Sequence, residues 1–157
     1  MLKFVDLFCG IGSFHHSFKE LGFECVMACD INVSARETYK ANYGIEPLGD
    51  ITKIDPSTIP AHDILCAGFP CQPFSQCGQH KGFDDDRGTM FFQILKFATF
   101  HKPKFIILEN VRGLYRHDNY RTFKRICCEM YAAGYELRFD VLTCSNYGIP
   151  QMRNALS

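Results

Sequence analysis

The chain reads as an α/β protein with a doubly wound, mostly parallel sheet, and three observations predict that class. Short apolar runs alternate with longer amphipathic ones along all 157 residues, the pattern of strands joined by covering helices. Gly22, Gly44 and Gly134 stand where helices should stop, since glycine takes the left-handed conformation that ends a helix. Each motif that could carry chemistry follows a strand-like run, and binding sites in such sheets gather at the carboxyl ends of the strands.

The elements follow in order. Residues 2–8 and 23–29 are compact apolar runs and predict strands, each followed by a helical pattern, at 14–21 and Val33–Tyr43. Residues 64–67 and 105–108 repeat the strand signal, with a helix over Met90–His101 between them. A last helix over 120–133 and a strand over 137–142 complete the alternation. Residues 68–88 are rich in Gly, Pro, Gln, Asp and Ser and read as a long loop. Loops of that length in compact domains are usually functional.

Composition narrows the function classes. Hydrophobic residues make up 46% and charged residues 22% of the chain, as in a globular protein. The apolar runs fall far short of the ~20 residues a membrane span needs. Asp6 interrupts any leader-like apolar segment at the start, so the expected setting is cytoplasmic. Seventeen basic residues balance seventeen acidic ones. That balance is unusual for a complete nucleic-acid binder, which neutralises phosphates with a basic excess. It suits a catalytic domain whose DNA-reading part lies elsewhere. Of the nine cysteines, Cys25, Cys29, Cys66, Cys127 and Cys128 sit in apolar segments and read as small buried hydrophobes. No Cys-x-x-Cys pair is present, so no metal site is expected.

Two constellations carry candidate chemistry. In the first, Asp6-Leu7-Phe8-Cys9-Gly10-Ile11-Gly12-Ser13-Phe14 runs from strand to Gly-x-Gly turn to helix. Glycines there let the backbone approach a ligand, and a helix start offers unpaired N–H donors. Asp30 ends the second strand, where a carboxylate can accept from ribose hydroxyls. Gly49-Asp50-Ile51 offers a third contact at the end of a next strand: a carboxylate for an amino group and an apolar side chain for a ring. These residues alone fit NAD, FAD or S-adenosylmethionine, although the third glycine of the dinucleotide fingerprint is missing after Gly12. The plain alternative is a tight turn at Gly10 and Gly12 and a helix cap at Asp30.

In the second constellation, Pro70-Cys71-Gln72-Pro73-Phe74-Ser75 follows the strand at 64–67. A cysteine between prolines is rigidly held, and its thiolate would be the reactive form. Glu109-Asn110-Val111 follows the strand at 105–108. A partly desolvated carboxyl there is expected to hold its proton more tightly and to serve as a donor. Separately, a Pro-Cys is more often structural and a Glu-Asn more often a turn. On adjacent strand ends they make a nucleophile and acid pair.

Taken in order, residues 6–14, Asp30, Gly49-Asp50-Ile51, residues 68–75, Arg87-Gly88-Thr89-Met90-Phe91-Phe92, Glu109-Asn110-Val111 and Tyr147-Gly148-Ile149-Pro150-Gln151-Met152-Arg153 resemble the blocks of the DNA (cytosine-5)-methyltransferases. Gly-Phe-Pro-Cys-Gln-Pro-Phe-Ser is highly specific, and Gly-Phe before Pro-Cys resembles the bacterial and phage DNA enzymes more than the tRNA-methylating branch. The resemblance implies a Rossmann-like methyltransferase fold and S-adenosyl-L-methionine as cofactor. It implies that Phe8 packs on the adenine, with Gly10 and Gly12 near the methionine end. Asp30 would bind the ribose, Ile31 cover the adenine, Asp50 and Ile51 contact it, and Pro70 and Met90 lie close by. Cys71 would attack C6 of a cytosine flipped out of double-stranded DNA, while Glu109 engages N3 and the amino group. Gln151 and Arg153 would order the catalytic site. The segment 76–87 would be a lid with Gly78 and Gly82 as hinges, against the plain reading of Asp84-Asp85-Asp86 as a solvated turn.

The match also fails in places. The family's Gln-x-Arg-x-Arg reads Gln151-Met152-Arg153-Asn154-Ala155 here, so Ala155 replaces an arginine that reaches the target base in the family. The resemblance implies a partial catalytic and cofactor-binding domain over 1–157, truncated before the last strands. The target-recognition domain and the C-terminal block would be missing. The expectation is a methyltransferase catalytic portion with negligible activity alone, needing a second polypeptide. The alternatives are a remnant that folds and binds cofactor weakly, or, less favoured, an NAD-dependent dehydrogenase on a related fold.

Overall fold

A computed structural model describes residues 1–70, 90–148 and 154–156. The elements run β1 (Lys3–Leu7), α1 (Ser13–Glu20), β2 (Glu24–Cys29), α2 (Val33–Tyr43), β3 (Ile64–Gly68), α3 (Met90–His101), β4 (Phe105–Val111), α4 (Gly113–Arg116), α5 (Arg121–Ala132), β5 (Val141–Thr143) and β6 (Asn154–Leu156). Short 3-10 turns lie at Ile51–Lys53, Pro56–Thr58 and Cys144–Tyr147. The strands form a six-stranded mixed sheet in the order β2-β1-β3-β4-β6-β5. By chain contacts the fold comprises two units: Met1–Gly68 with Lys96–Ile107, and Phe69–Leu95 with Leu108–Ser157.

In the first unit, β1 pairs in parallel with both β2 and β3. A strand flanked on both sides and covered on both faces is buried throughout, and Phe4, Val5, Asp6 and Leu7 are all fully buried. Helix α1 packs on this strand through aromatic rings: Phe18 meets Phe4 edge-on at 5.1 Å and His15 meets it at 5.5 Å. Spacings of three and four residues bring Phe14, His15 and Phe18 to one face. The chain leaves α1 through Gly22 at φ 74, its N–H bonded to Lys19 O. Helix α2 starts at Asn32, whose side chain accepts from Ala35 N at 3.1 Å. It stops at Gly44 in the left-handed conformation.

In the second unit, β6 pairs antiparallel with β4 and with β5. Leu114 of α4 and Thr122, Ile126 and Met130 of α5 are buried. Tyr115, Phe123 and Phe139 form an aromatic cluster with centroid spacings of 4.9 to 5.9 Å.

Several sequence expectations shift here. The strand expected over 137–142 is only Val141–Thr143. Strands exist by pairing, and β6 reaches only Val141, Leu142 and Thr143. Gly49-Asp50-Ile51 does not end a strand: Leu48 makes an isolated parallel bridge with Cys29, and Asp50 caps a 3-10 turn. Residue 120 precedes its helix, because Asp118, Asn119 and Tyr120 all take positive φ. Of the cysteines expected to be buried, Cys29 and Cys66 are, Cys25 and Cys127 are half-buried and Cys128 is exposed. No helix among the described residues is long and apolar enough to cross a membrane.

Candidate active site

The Phe8–Gly12 turn leaves β1 with unusual backbone. Phe8 has φ 57, a conformation that bulky residues rarely adopt and that clusters at binding sites. Gly10 and Gly12 follow at φ 53 and φ 100. At Gly12 a Cβ would overlap the Tyr43 ring, whereas at Gly10 it would meet nothing within 4 Å. Tyr43 holds the turn from behind: its hydroxyl donates to Gly12 O at 3.0 Å, and its ring stacks on His15 at 3.9 Å. Because Gly12 caps α1 without a side chain, the first-turn amides have no side-chain acceptor from the cap.

Two carboxylates flank this turn. Asp30, after β2, accepts from Gly10 N and from Asn32 N, both at 2.8 Å. The helix cap is therefore Asn32 and not Asp30, while Asp30 braces the glycine turn. Asp6 is fully buried, and among the described residues neither of its oxygens has a hydrogen-bond partner of acceptable geometry. Burial pushes its carboxyl up to about 7, the Asp30 charge adds to the rise, and the His15 backbone N–H partly offsets it. That amide influences the charge without closing a well-formed bond. Asp50 directs Oδ1 to Thr52 N and Thr52 Oγ1, and these bonds hold its carboxyl below the usual range.

The remaining cofactor candidates sit as follows. Ile31 is 74% exposed at the end of β2, and Ile11 in the glycine turn is 59% exposed. Both leave apolar surface beside the carboxyl ends of the strands. Ile51 is buried. Beneath the turn, the Tyr39 hydroxyl lies 2.6 Å from His15 Nδ1 and 3.5 Å from Cys25 Sγ. Burial raises the thiols of Cys9, Cys25, Cys29 and Cys66, so they stay protonated and unreactive at neutral pH.

The second unit carries the other motif. Asn110 is buried on β4 and donates from Nδ2 to Phe69 O at 2.7 Å, and Val111 N donates to Asn110 Oδ1. This bond joins the Glu109-Asn110-Val111 segment to the backbone just before Pro70. Pro70 is exposed, and Glu109 and Met90 are half-buried. Across the ladder, Ala155 pairs with Val111 and Leu156 with Asn110. Cys71, Gln151, Arg153 and the segment 76–87 lie outside the described residues.

A sequence model described as C-5 cytosine-specific DNA methylase matches residues 2–155. This chain belongs to that family. Type II methyltransferase M.DsaV of Dactylococcopsis salina is 44% identical over 155 residues, covering 99% of this chain and 44% of that protein. M.MspI of Moraxella sp is 47% identical over 152 residues, covering 96% of this chain and 36% of its own length. The crystal structure of S. pombe Dnmt2 methyltransferase superposes with a TM-score of 0.79 at 26% identity, covering 99% of this chain and 49% of that one. The chain thus spans less than half the length of these relatives. The family match removes the nicotinamide dehydrogenase alternative.

Sequence reasoning missed three residues of the family site's surroundings: Asp6 as an unpartnered carboxyl, Tyr43 as the brace of the glycine turn, and Asn110 as the tie to Phe69. Signals existed for the first two. Asp6 is a carboxylate in the middle of an apolar strand, and Tyr39 and Tyr43 stand four apart on α2.

Proposed function

We propose that this chain is the cofactor-binding and catalytic portion of an enzyme that methylates C5 of cytosine in double-stranded DNA. The observation that carries the reading is the buried Asn110–Phe69 hydrogen bond of 2.7 Å. It ties the strand end bearing Glu109 to the backbone that enters Pro70-Cys71. Cys71 is the nucleophile in this reading: its thiolate adds to C6 of a cytosine drawn out of the stack. Glu109 holds a proton at N3 and steadies the exocyclic amino group. Loss of the C5 proton later expels the thiolate, and Gln151 and Arg153 order the pocket.

The residues of the first unit fit S-adenosylmethionine. The strained Phe8 and exposed Ile31 offer apolar surface for adenine, and Asp30, Asp50 and Ile51 surround the ribose and purine. Gly10 and Gly12 receive the amino-acid end near the start of α1, and Pro70 and Met90 complete the candidate set. When bound, S-adenosylmethionine supplies an electrophilic methyl group. The part that reads DNA sequence is proposed to lie outside residues 1–157. Support comes from the balanced charge and from the share of the relatives' length that the chain covers.

A covalent-trapping assay tests this reading. The chain is mixed with S-adenosylmethionine, the DNA-reading part of a relative and duplex DNA containing 5-fluorocytosine. A denaturation-resistant adduct is expected, lost in Cys71→Ser. The chain alone should give negligible methylation. Ala155, paired with Val111 where the family carries arginine, favours a second reading: a chain that folds and binds cofactor without transfer. Cofactor binding with no adduct would select it.

A further inference from the structure

We propose that Asp6 senses ligand charge beneath the glycine turn: it gives up its proton when the cationic methyl donor binds, and so favours the donor over its uncharged product. The inference rests on the cofactor reading of the first unit. It stands first on geometry. Asp6 is fully buried at the end of β1, with neither oxygen partnered among the described residues. A buried carboxylate in that state is costly and holds a proton unless a positive charge arrives.

Among the described residues, the groups that face Asp6 supply no such charge. From β2 they are Cys25, Cys29 and the carboxylate of Asp30. From the turn and β3 they are Cys9 and Cys66, and from α2 they are Tyr39 and Tyr43. From α1 comes His15, which burial and Lys19 hold toward its neutral form. Lys19 itself lies outward, 6.0 Å from the Tyr43 ring centroid. Asp30 already spends one oxygen on Gly10 N and the other on Asn32 N. Among the described residues, the surroundings of Asp6 therefore hold acidic, thiol and hydroxyl groups and no cation.

S-adenosylmethionine carries a sulfonium and an ammonium against one carboxylate, leaving a net positive charge. S-adenosylhomocysteine has lost the sulfonium charge and is a neutral zwitterion. In a low-dielectric setting that difference selects between the two states of Asp6. The proton leaves to solvent, and the ionised carboxylate offsets the incoming positive charge. After methyl transfer the carboxylate again lacks a counter-charge, takes up a proton and loosens the product.

Titration calorimetry of the 157-residue chain in buffers of different ionisation enthalpy reads this directly. S-adenosylmethionine, or sinefungin as a stable cationic analogue, should release about half a proton near pH 7, with release vanishing at high pH. S-adenosylhomocysteine should release markedly less. The donor-to-product affinity ratio should fall several-fold between about pH 8 and pH 6, and both effects should be absent in Asp6→Asn. An infrared difference spectrum of the unsubstituted chain should show a protonated carboxyl band lost on donor binding, a measurement that does not depend on the variant folding. Donor binding without proton release and without loss of that band overturns the inference and leaves the cofactor reading intact. Release that persists in a folded Asp6→Asn does the same. Failure of both donor and product to bind overturns the cofactor reading and the inference together.

Discussion

A carboxyl group enclosed without a partner, as Asp6 is, couples folding to pH. Its folded pKa of about 7 lies above the ordinary 3.8, so the folded state binds the extra proton between those values. Its stabilising effect is fully present below about pH 4, declines as pH rises and is gone above about pH 7. Lowered His15 and His62 act the other way, because the unfolded state takes up their protons first as pH falls. Comparing the chain with Asp6→Asn cancels the histidine contributions. Denaturant titrations across pH should show the variant more stable above pH 7, by roughly 2–4 kcal/mol, with the gap closing toward pH 4. An unchanged gap across that range would contradict the assignment. The glycines give a second residue-scale prediction. Gly12→Ala combines a left-handed φ with overlap of the Tyr43 ring, and should cost about 2–4 kcal/mol. Gly10→Ala carries the backbone penalty alone and should cost about 1 kcal/mol. Equal losses in thermal unfolding would show that Tyr43 moves aside freely.

At the scale of elements, the β4 segment 109–111 and the Phe69-Pro70 backbone are joined by one buried side chain. Asn110→Ala removes the donor and leaves Phe69 O without that partner, a loss of about 1–3 kcal/mol. The same substitution should reduce the rate of 5-fluorocytosine adduct formation at least several-fold while S-adenosylhomocysteine affinity holds. A parallel loss of both would indicate general unfolding. This tie was not legible beforehand, because a Glu-Asn pair after a strand also describes a turn. What distinguishes the cases is which carbonyl the amide reaches, and that depends on chain brought from 41 positions away.

For the whole molecule, the two units differ in how thoroughly their strands are enclosed. β1 is paired on both edges and buried from Phe4 to Leu7. β5 and β6 have three residues each, and β5 is only half-buried. Amide hydrogen exchange should be slowest in β1 and β3 and orders of magnitude faster in β5 and β6. Comparable protection in β5 would contradict this ranking.

The α/β class, four of the helices and the strands β1 to β4 could be read from the chain because their signals are local. Apolar runs, amphipathic periods and stop glycines act within a few residues, and the helices over Val33–Tyr43 and Met90–His101 have the expected limits. Family membership was legible for the same reason: the motifs are contiguous strings whose order survives without any geometry. Tertiary structure alone decided what depends on pairing and enclosure. Strand β6 and the shortening of β5 arise from partners remote in sequence. The state of Asp6 belongs to this group as well. A sequence shows an acid in an apolar strand, but only the surrounding side chains determine whether it finds a counter-charge.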